Sequence, residues 1–207
     1  MQIAIYAAIV TAAYLIGAIP FGLLIGKLYG IDIRKVGSGN IGATNVTRSV
    51  GKTAGKICFF LDFLKGALPT AAAQLIYPEL PYLALGCGAA AIIGHMFPIY
   101  LNFKGGKGVS TAAGVAVALA PYPLLCAAAV WAAVFFIWRY VSLASIAAAV
   151  ALPVSAAAFK IAGCGSVTAR ALLTLVFFCV IAALAVLRHR ENIKRLLAGT
   201  ESRFSKK

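Results

Sequence analysis

Runs of apolar residues, bounded by short polar or glycine-rich segments, dominate the chain. They fall at about 3–25, 54–77, 80–101, 109–121, 122–138, 142–160 and 168–187. The longer runs approach the roughly 20 residues that a helix needs to cross a hydrocarbon core. The second run is interrupted by Asp62 and Lys65. These lie three apart, on one helix face, where they can pair with each other. The fourth and fifth runs meet at Pro121-Tyr122-Pro123, where proline removes a backbone donor and a continuous helix is disfavoured. The pattern predicts an all-α, polytopic integral membrane protein: seven transmembrane helices with cytoplasmic glycine-rich loops. One long kinked helix over 109–138 would give six. No soluble domain is left over, and no long-period repeat stands out.

Charge decides the orientation and bears on that choice. One group of loops holds Lys27, Arg34, Lys35, Arg48, Lys52 and Lys56, then Lys104 and Lys107, then Arg139. The C-terminal tail adds Arg188, Arg190, Lys194, Arg195, Arg203, Lys206 and Lys207, whereas the opposite loops hold only Lys160 and Arg170. Basic residues collect on the cytoplasmic side. Seven spans then put the N-terminus outside and the C-terminus inside. Six spans would leave two basic loops on the wrong face, so the charge pattern favours seven.

Composition agrees with a membrane chain. The 207 residues are 62% hydrophobic and only 12% charged, with a mean hydropathy of +0.95. Soluble domains are about 45–50% apolar and about 25% charged. The net charge of +14 comes from 19 Lys and Arg against five acids. It does not point to nucleic acid, because the cations sit in short clusters between apolar runs. It fits topogenic charge together with binding of anionic substrates or lipid headgroups. Cys58, Cys87, Cys126, Cys164 and Cys179 all lie in or beside apolar runs without CxxC spacing, and read as small core residues. The first run lacks a basic n-region and continues as a full span, so the chain is expected to insert by its own first helix. With two histidines and few acids, no metal site and no cofactor are expected.

The polar loops carry the candidate chemistry. The first runs from Gly37-Ser38-Gly39-Asn40 through Gly42, Thr44 and Asn45 to Arg48. It matches GxGxxG, with Asp62 twenty residues beyond Gly42. A dinucleotide site is nevertheless excluded, since that fingerprint works only between the strand and helix of a βαβ unit. Glycine does let backbone N–H groups approach an anion. Ser38, Asn40, Thr44 and Asn45 add neutral polar groups, and Arg48 adds a planar fork suited to phosphate. A merely topogenic loop is the alternative.

The second loop, Lys104-Gly105-Gly106-Lys107-Gly108, opens directly into an apolar helix. Backbone donors, a helix N-terminus and two ammonium groups can converge there on one anion. GxxxxGK[ST] is absent, so a nucleotide triphosphatase is unsupported. His95 precedes this loop within the third span, where packing and catalysis are equally good readings. The third segment, His189 to Glu201, brings His189, Asn192 and Lys194 or Arg195 near one another at helical spacing, or forms a basic amphipathic tail on the membrane surface. Ser142 and Ser145 place two hydroxyls at the start of a span, where helix packing is the default role.

Taken in order, GSGNIGATN with Arg48, GHMFPIYLNFKGGKGVST and HRENIKRLLAGTE resemble the motifs of the bacterial acyl-phosphate-dependent glycerol-3-phosphate acyltransferase family (PlsY), over nearly the whole chain. Thr47, where relatives often carry an aliphatic residue, is a departure that lies between the polar positions. The resemblance implies a single transmembrane acyltransferase domain over 1–207, in the bacterial cytoplasmic membrane, with a cytoplasm-facing site. Its activity would move an acyl chain from acyl phosphate to the sn-1 hydroxyl of glycerol 3-phosphate, giving lysophosphatidic acid and inorganic phosphate.

On this resemblance the catalytic set would be Ser38, Asn40, Arg48, Lys107, His189 and Asn192. Substrate binding would fall to Gly37, Gly39, Thr44, Asn45, Lys104, Gly105, Gly106, Gly108, Ser142, Ser145 and Glu201. The partners implied are the two phosphate substrates, membrane lipid and a soluble acyl-phosphate-forming enzyme, with no nucleic acid. Neither His95 nor His189 begins the His-x4-Asp motif of acyltransferases that use acyl-CoA or acyl carrier protein. The hydroxyl proton would pass to His189 or to a phosphate oxygen of the substrate; both acceptors are open. A transporter of phosphorylated metabolites, with Asp62 and Lys65 as intramembrane ionisable groups, and a lipid-binding scaffold are the competing classes.

Overall fold

The computed structural model describes residues 1–161 and 169–204. Cys164, Lys206 and Lys207 lie outside the described residues. Those residues form helices only: α1 Gln2–Ala18, α2 Phe21–Leu28, α3 Ala43–Ser49, α4 Lys52–Ile76, α5 Pro81–Met96, α6 Val109–Leu119, α7 Pro121–Trp138, α8 Val141–Ile161, α9 Ala169–Arg188 and α10 Arg190–Leu197. Among the described residues, six segments are long and apolar enough to cross a membrane, and the eleven-residue α6 is a shorter apolar helix. The fold is thus an all-α integral membrane bundle, with α6 as the seventh apolar segment. The break expected at Pro121 is present. Pro121 and Pro123 occupy the first turn of α7, where the missing N–H costs nothing.

The first apolar run departs from expectation. It is two helices, α1 and α2, broken at Ile19-Pro20. Pro20 is itself apolar, so it leaves the hydropathy run intact while interrupting the backbone ladder. By contrast, Pro69 and Pro153 sit inside α4 and α8, which continue through them, as membrane helices often do.

By packing, the chain divides into residues 1–119 and 120–207. In the first unit α4 is central and touches α1, α2, α3, α5 and α6. Lipid tails are as apolar as leucine, so helix association in a membrane depends on close packing of small residues. Gly17 and Gly94 lie against the facing backbone of α5 and α1 respectively, and Gly66 and Gly114 do the same between α4 and α6. In the second unit α8 packs against α7, α9 and α10. Many large apolar side chains face outward, among them Phe60, Leu68 and Leu75 on α4 and Val176 and Val180 on α9. A soluble chain would not expose so much apolar surface. Cys58 and Cys87 are buried, as expected of core residues, but Cys126 and Cys179 are exposed on their helices.

Candidate functional site

The Gly37–Asn45 segment is built around Asn45. This side chain is 2% exposed. Its Nδ2 lies 2.8 Å from the Ile33 carbonyl, 2.9 Å from that of Asn40 and 3.2 Å from that of Val36, and its Oδ1 accepts from the Ser38 N–H at 2.9 Å. Every polar atom of the amide therefore holds loop backbone. A buried amide left unsatisfied would cost about 1–3 kcal/mol, so the loop and Asn45 hold each other in place. Gly37 takes a φ of 59°, and a Cβ there would run into the Asn45 amide. The Asn40 Oδ1 accepts from the Gly42 N–H at 2.8 Å, shaping the entry to α3. Thr44 is half-buried in the first turn of α3, while Ser38 and Arg48 are exposed, Arg48 in the last turn of α3. This unit thus presents a hydroxyl and a guanidinium on a braced loop.

The second loop follows a 3₁₀ turn, Ile99–Leu101, and two left-handed residues, Asn102 and Phe103. The Gly106 N–H donates to the His95 carbonyl at 3.0 Å. Gly105 lies against the His95 carbonyl and Pro98, and Gly106 against the His95 imidazole, so closely that neither has room for a Cβ. Gly39 and Gly108 are left-handed, with φ of 68° and 82°. Lys104 is exposed and Lys107 half-buried, and α6 starts at Val109. Backbone donors, two cations and a helix start are therefore gathered at one loop.

In the second unit, Glu201 is the hub. Its side chain is 5% exposed. Oε1 accepts from Ser142 Oγ at 2.7 Å and Asn192 Nδ2 at 2.6 Å, and Oε2 from Arg195 Nε at 2.7 Å. Asn192 and Arg195 are three apart on α10, so both reach one carboxylate. Lys194 points elsewhere, to Glu191 at 3.4 Å on the exposed side. The tail then returns over the α7–α8 elbow. The Phe204 N–H donates to the Arg139 carbonyl at 2.8 Å, and the Arg203 Nε to the Tyr140 hydroxyl at 2.8 Å. Ser145 is buried and accepts from Trp131 Nε1 at 3.3 Å.

His189, 2% exposed, joins α9 to α10. Its Nδ1 is 2.7 Å from the Ala185 carbonyl. A carbonyl only accepts, so Nδ1 carries a proton and proton exchange by this ring falls to Nε2.

Burial alone raises the Glu201 carboxyl. The hydrogen bonds from Ser142, Asn192 and Arg195, with the Arg195 charge, outweigh it and hold the group below the ordinary glutamate value. A depressed folded pKa contributes stability that is complete above the unfolded value of about 4.3 and is lost as pH falls through the folded value. The thermal transition is therefore expected to fall on acidification below about pH 4, and Glu201→Gln to lack that part of the fall. An unchanged acid profile in the variant would remove Glu201 from the account.

Sequence reasoning placed the helical spacing of His189, Asn192 and Arg195, and Glu201 among the binding groups, but not that Glu201 gathers Ser142, Asn192 and Arg195 while His189 turns to the Ala185 carbonyl. The available signal was an acid, Glu201, in a strongly basic tail. It also placed Asn45 among ligand groups without its bracing of the loop; the signal there was an asparagine flanked by glycines.

Comparison with known proteins supplies a family. A family model described as glycerol-3-phosphate acyltransferase matches residues 7–199. The glycerol-3-phosphate acyltransferase of Aquifex aeolicus is 47% identical over 95% of this chain and 97% of its own length. That of Geotalea daltonii is 45% identical over 96% and 97%. A crystal structure of PlsY, an integral membrane glycerol 3-phosphate acyltransferase in its glycerol 3-phosphate form, superposes with a TM-score of 0.87 at 46% identity, covering 97% of this chain and 96% of that one. The lysophosphatidic acid form gives 0.85 at 44% identity, covering 97% and 95%.

Proposed function

The chain belongs to the glycerol-3-phosphate acyltransferase family, and from that premise we propose that it transfers an acyl chain from acyl phosphate to the sn-1 hydroxyl of glycerol 3-phosphate. The products are lysophosphatidic acid and inorganic phosphate. The observation that carries this reading is the pair of braced, cation-bearing glycine loops in the first unit: a reaction with two phosphate-bearing substrates needs two anion sites. The proposal takes residues 1–207 as one acyltransferase domain, with the N-terminus outside and the polar loops and C-terminus in the cytoplasm of a bacterium. A soluble enzyme would supply the acyl phosphate.

Acyl phosphate is a mixed anhydride with a good leaving group, so no acyl-enzyme is required. The glycerol hydroxyl oxygen attacks the acyl carbon, the bond from that carbon to the bridging oxygen of the phosphate breaks, and phosphate leaves with the electron pair. Ser38, Arg48, Lys104, Lys107 and the loop N–H groups hold the phosphates and screen their repulsion. Asn40, His189 and Asn192 orient glycerol 3-phosphate or polarise the donor carbonyl. Asn45 we place as a positioning residue, since its amide is committed to the loop. Thr44 borders the first loop, Ser142 and Glu201 position Asn192, and Ser145 packs beside Trp131. The hydroxyl proton goes to His189 Nε2 or to a substrate phosphate oxygen.

The experiment is a phosphate-release assay on detergent-solubilised protein. Release is expected only when acyl phosphate and glycerol 3-phosphate are both present. A requirement for sealed vesicles, with uptake of a phosphorylated metabolite, would instead identify a transporter. His189→Ala is run in parallel. Residual turnover with an unchanged pH profile assigns the proton to the phosphate; loss of one limb of the profile assigns it to His189.

A further inference from the structure

Two charged side chains and an imidazole lie buried within membrane-spanning helices of the first unit, outside the proposed substrate contacts. Asp62 and Lys65 are on α4 and His95 on α5; they are 1%, 4% and 4% exposed. Lys65 Nζ is 2.7 Å from Asp62 Oδ1 and donates to the Ile19 carbonyl at 2.8 Å. It also sits 5.6 Å from the centre of the Phe21 ring. His95 Nδ1 lies 3.6 Å from the same Asp62 oxygen, an electrostatic contact longer than a hydrogen bond. The Cys58 thiol reaches Asp62 Oδ2 at 3.7 Å.

Each arm of this cluster ends beside a segment that packs on one of the glycine-rich loops. Ile19 is the residue at which α1 breaks before α2, and Gly22, in the first turn of α2, lies against the Ile41 carbonyl of the first loop. His95 is the penultimate residue of α5, and both its carbonyl and its ring support Gly105 and Gly106. From the central helix, Asp62 thus contacts both Lys65, at the α1–α2 break, and His95, beneath the second loop.

Stability alone does not account for such a cluster. Replacing a buried ion pair by apolar residues of similar volume is often neutral or stabilising, whereas orphaning one partner is costly. Ionisable groups in membrane helices are expensive, and function is the default reason for their presence. Transport is a poor fit, because these groups are bound to backbone and to each other at the loop bases.

We infer that Asp62, Lys65 and His95 form a positioning triad that sets the glycine loop at 105–108 for phosphate through His95, and pins the α1–α2 break through Lys65. This deepens the acyltransferase reading and rests on it. The triad touches no reacting atom. It acts by fixing where the Gly106 peptide and the Lys107 ammonium stand relative to a phosphate.

The test uses full-length protein in detergent, with His95→Gln and the charge-balanced pair Asp62→Asn with Lys65→Met, so that no lone charge is left buried. Two quantities are read: deuterium uptake by the peptide covering 103–109, and KM and kcat for each substrate. Faster exchange of that peptide by about tenfold in His95→Gln, with the rest of unit one unchanged, is the expected structural signature. For both variants, KM for one phosphate substrate is expected to rise about tenfold while kcat stays within about threefold. Unchanged exchange at 103–109 overturns the inference, as does a fall in kcat with both KM values unchanged, the mark of lost folded enzyme. Absence of turnover in the parent protein would refute the acyltransferase reading alone, since the exchange experiment decides the positioning role by itself.

Discussion

Arg48→Ala and Lys107→Ala are each expected to lower turnover by about a hundredfold to a thousandfold, the usual cost of removing one pre-placed donor from a developing charge. The two cations stand on different loops of the same unit, Arg48 at the end of α3 and Lys107 just before α6. Each loop has its own brace, the first in Asn45 and the second in His95. Alanine therefore removes the charge without releasing the backbone that carries it. Arg48 is exposed, and exposed substitutions usually change stability by less than about 0.5 kcal/mol. The loss should thus appear in kcat/KM at unchanged thermal transition. Arg48→Lys should retain only part of the rate, because an ammonium cannot reproduce a bidentate fork. Near-normal turnover in either alanine variant, measured by phosphate release, would dismiss the phosphate-clamp assignment for that residue.

Gly106→Ala is expected to be as damaging for a different reason. The added methyl would overlap the His95 imidazole, with Cε1 at 2.8 Å and Cδ2 at 3.0 Å even before its nearest contact, the ring nitrogen Nε2. The ring cannot swing away, because His95 is 4% exposed and Asp62 stands beside it. The loop must move instead, breaking the hydrogen bond from Gly106 to the His95 carbonyl and displacing Lys107. A shift of about 1 Å in a positioning group can cost about a hundredfold in rate. Gly86→Ala is the control. A Cβ there meets only Val10 at an ordinary 3.5 Å, and Gly to Ala inside a helix stabilises by roughly 0.5–1 kcal/mol. Wild-type activity in Gly106→Ala, alongside a normal Gly86→Ala, would show that the loop tolerates displacement.

Both predictions concern loops whose importance was legible from residue types, but whose geometry was not. The spans were readable because hydropathy and length alone decide what a bilayer accepts. The α6–α7 break at Pro121 and the Asp62–Lys65 pairing were readable because each depends on residues within one turn. The α1–α2 break was hidden by proline's own apolarity. Nor did sequence show that Cys126 and Cys179 face outward, since a helix hydrophobic all round gives no periodic cue to its buried side.

What the sequence by itself determined is the membrane bundle, its number of apolar segments, and the polar and cationic loops between them. These follow from composition and from interactions reaching no further than four residues. Only the tertiary structure decided how the buried polar groups are satisfied. Lys65 finds the carbonyl of Ile19, 46 residues away. Glu201 collects Ser142 across 59 positions, and His95 becomes the floor of the loop that carries Gly106. The physical reason is that a buried donor or acceptor must be paired, while the partner that pairs it is chosen by which helices pack together. Small residues made that packing possible, and their contacts are set by neighbours remote in the chain.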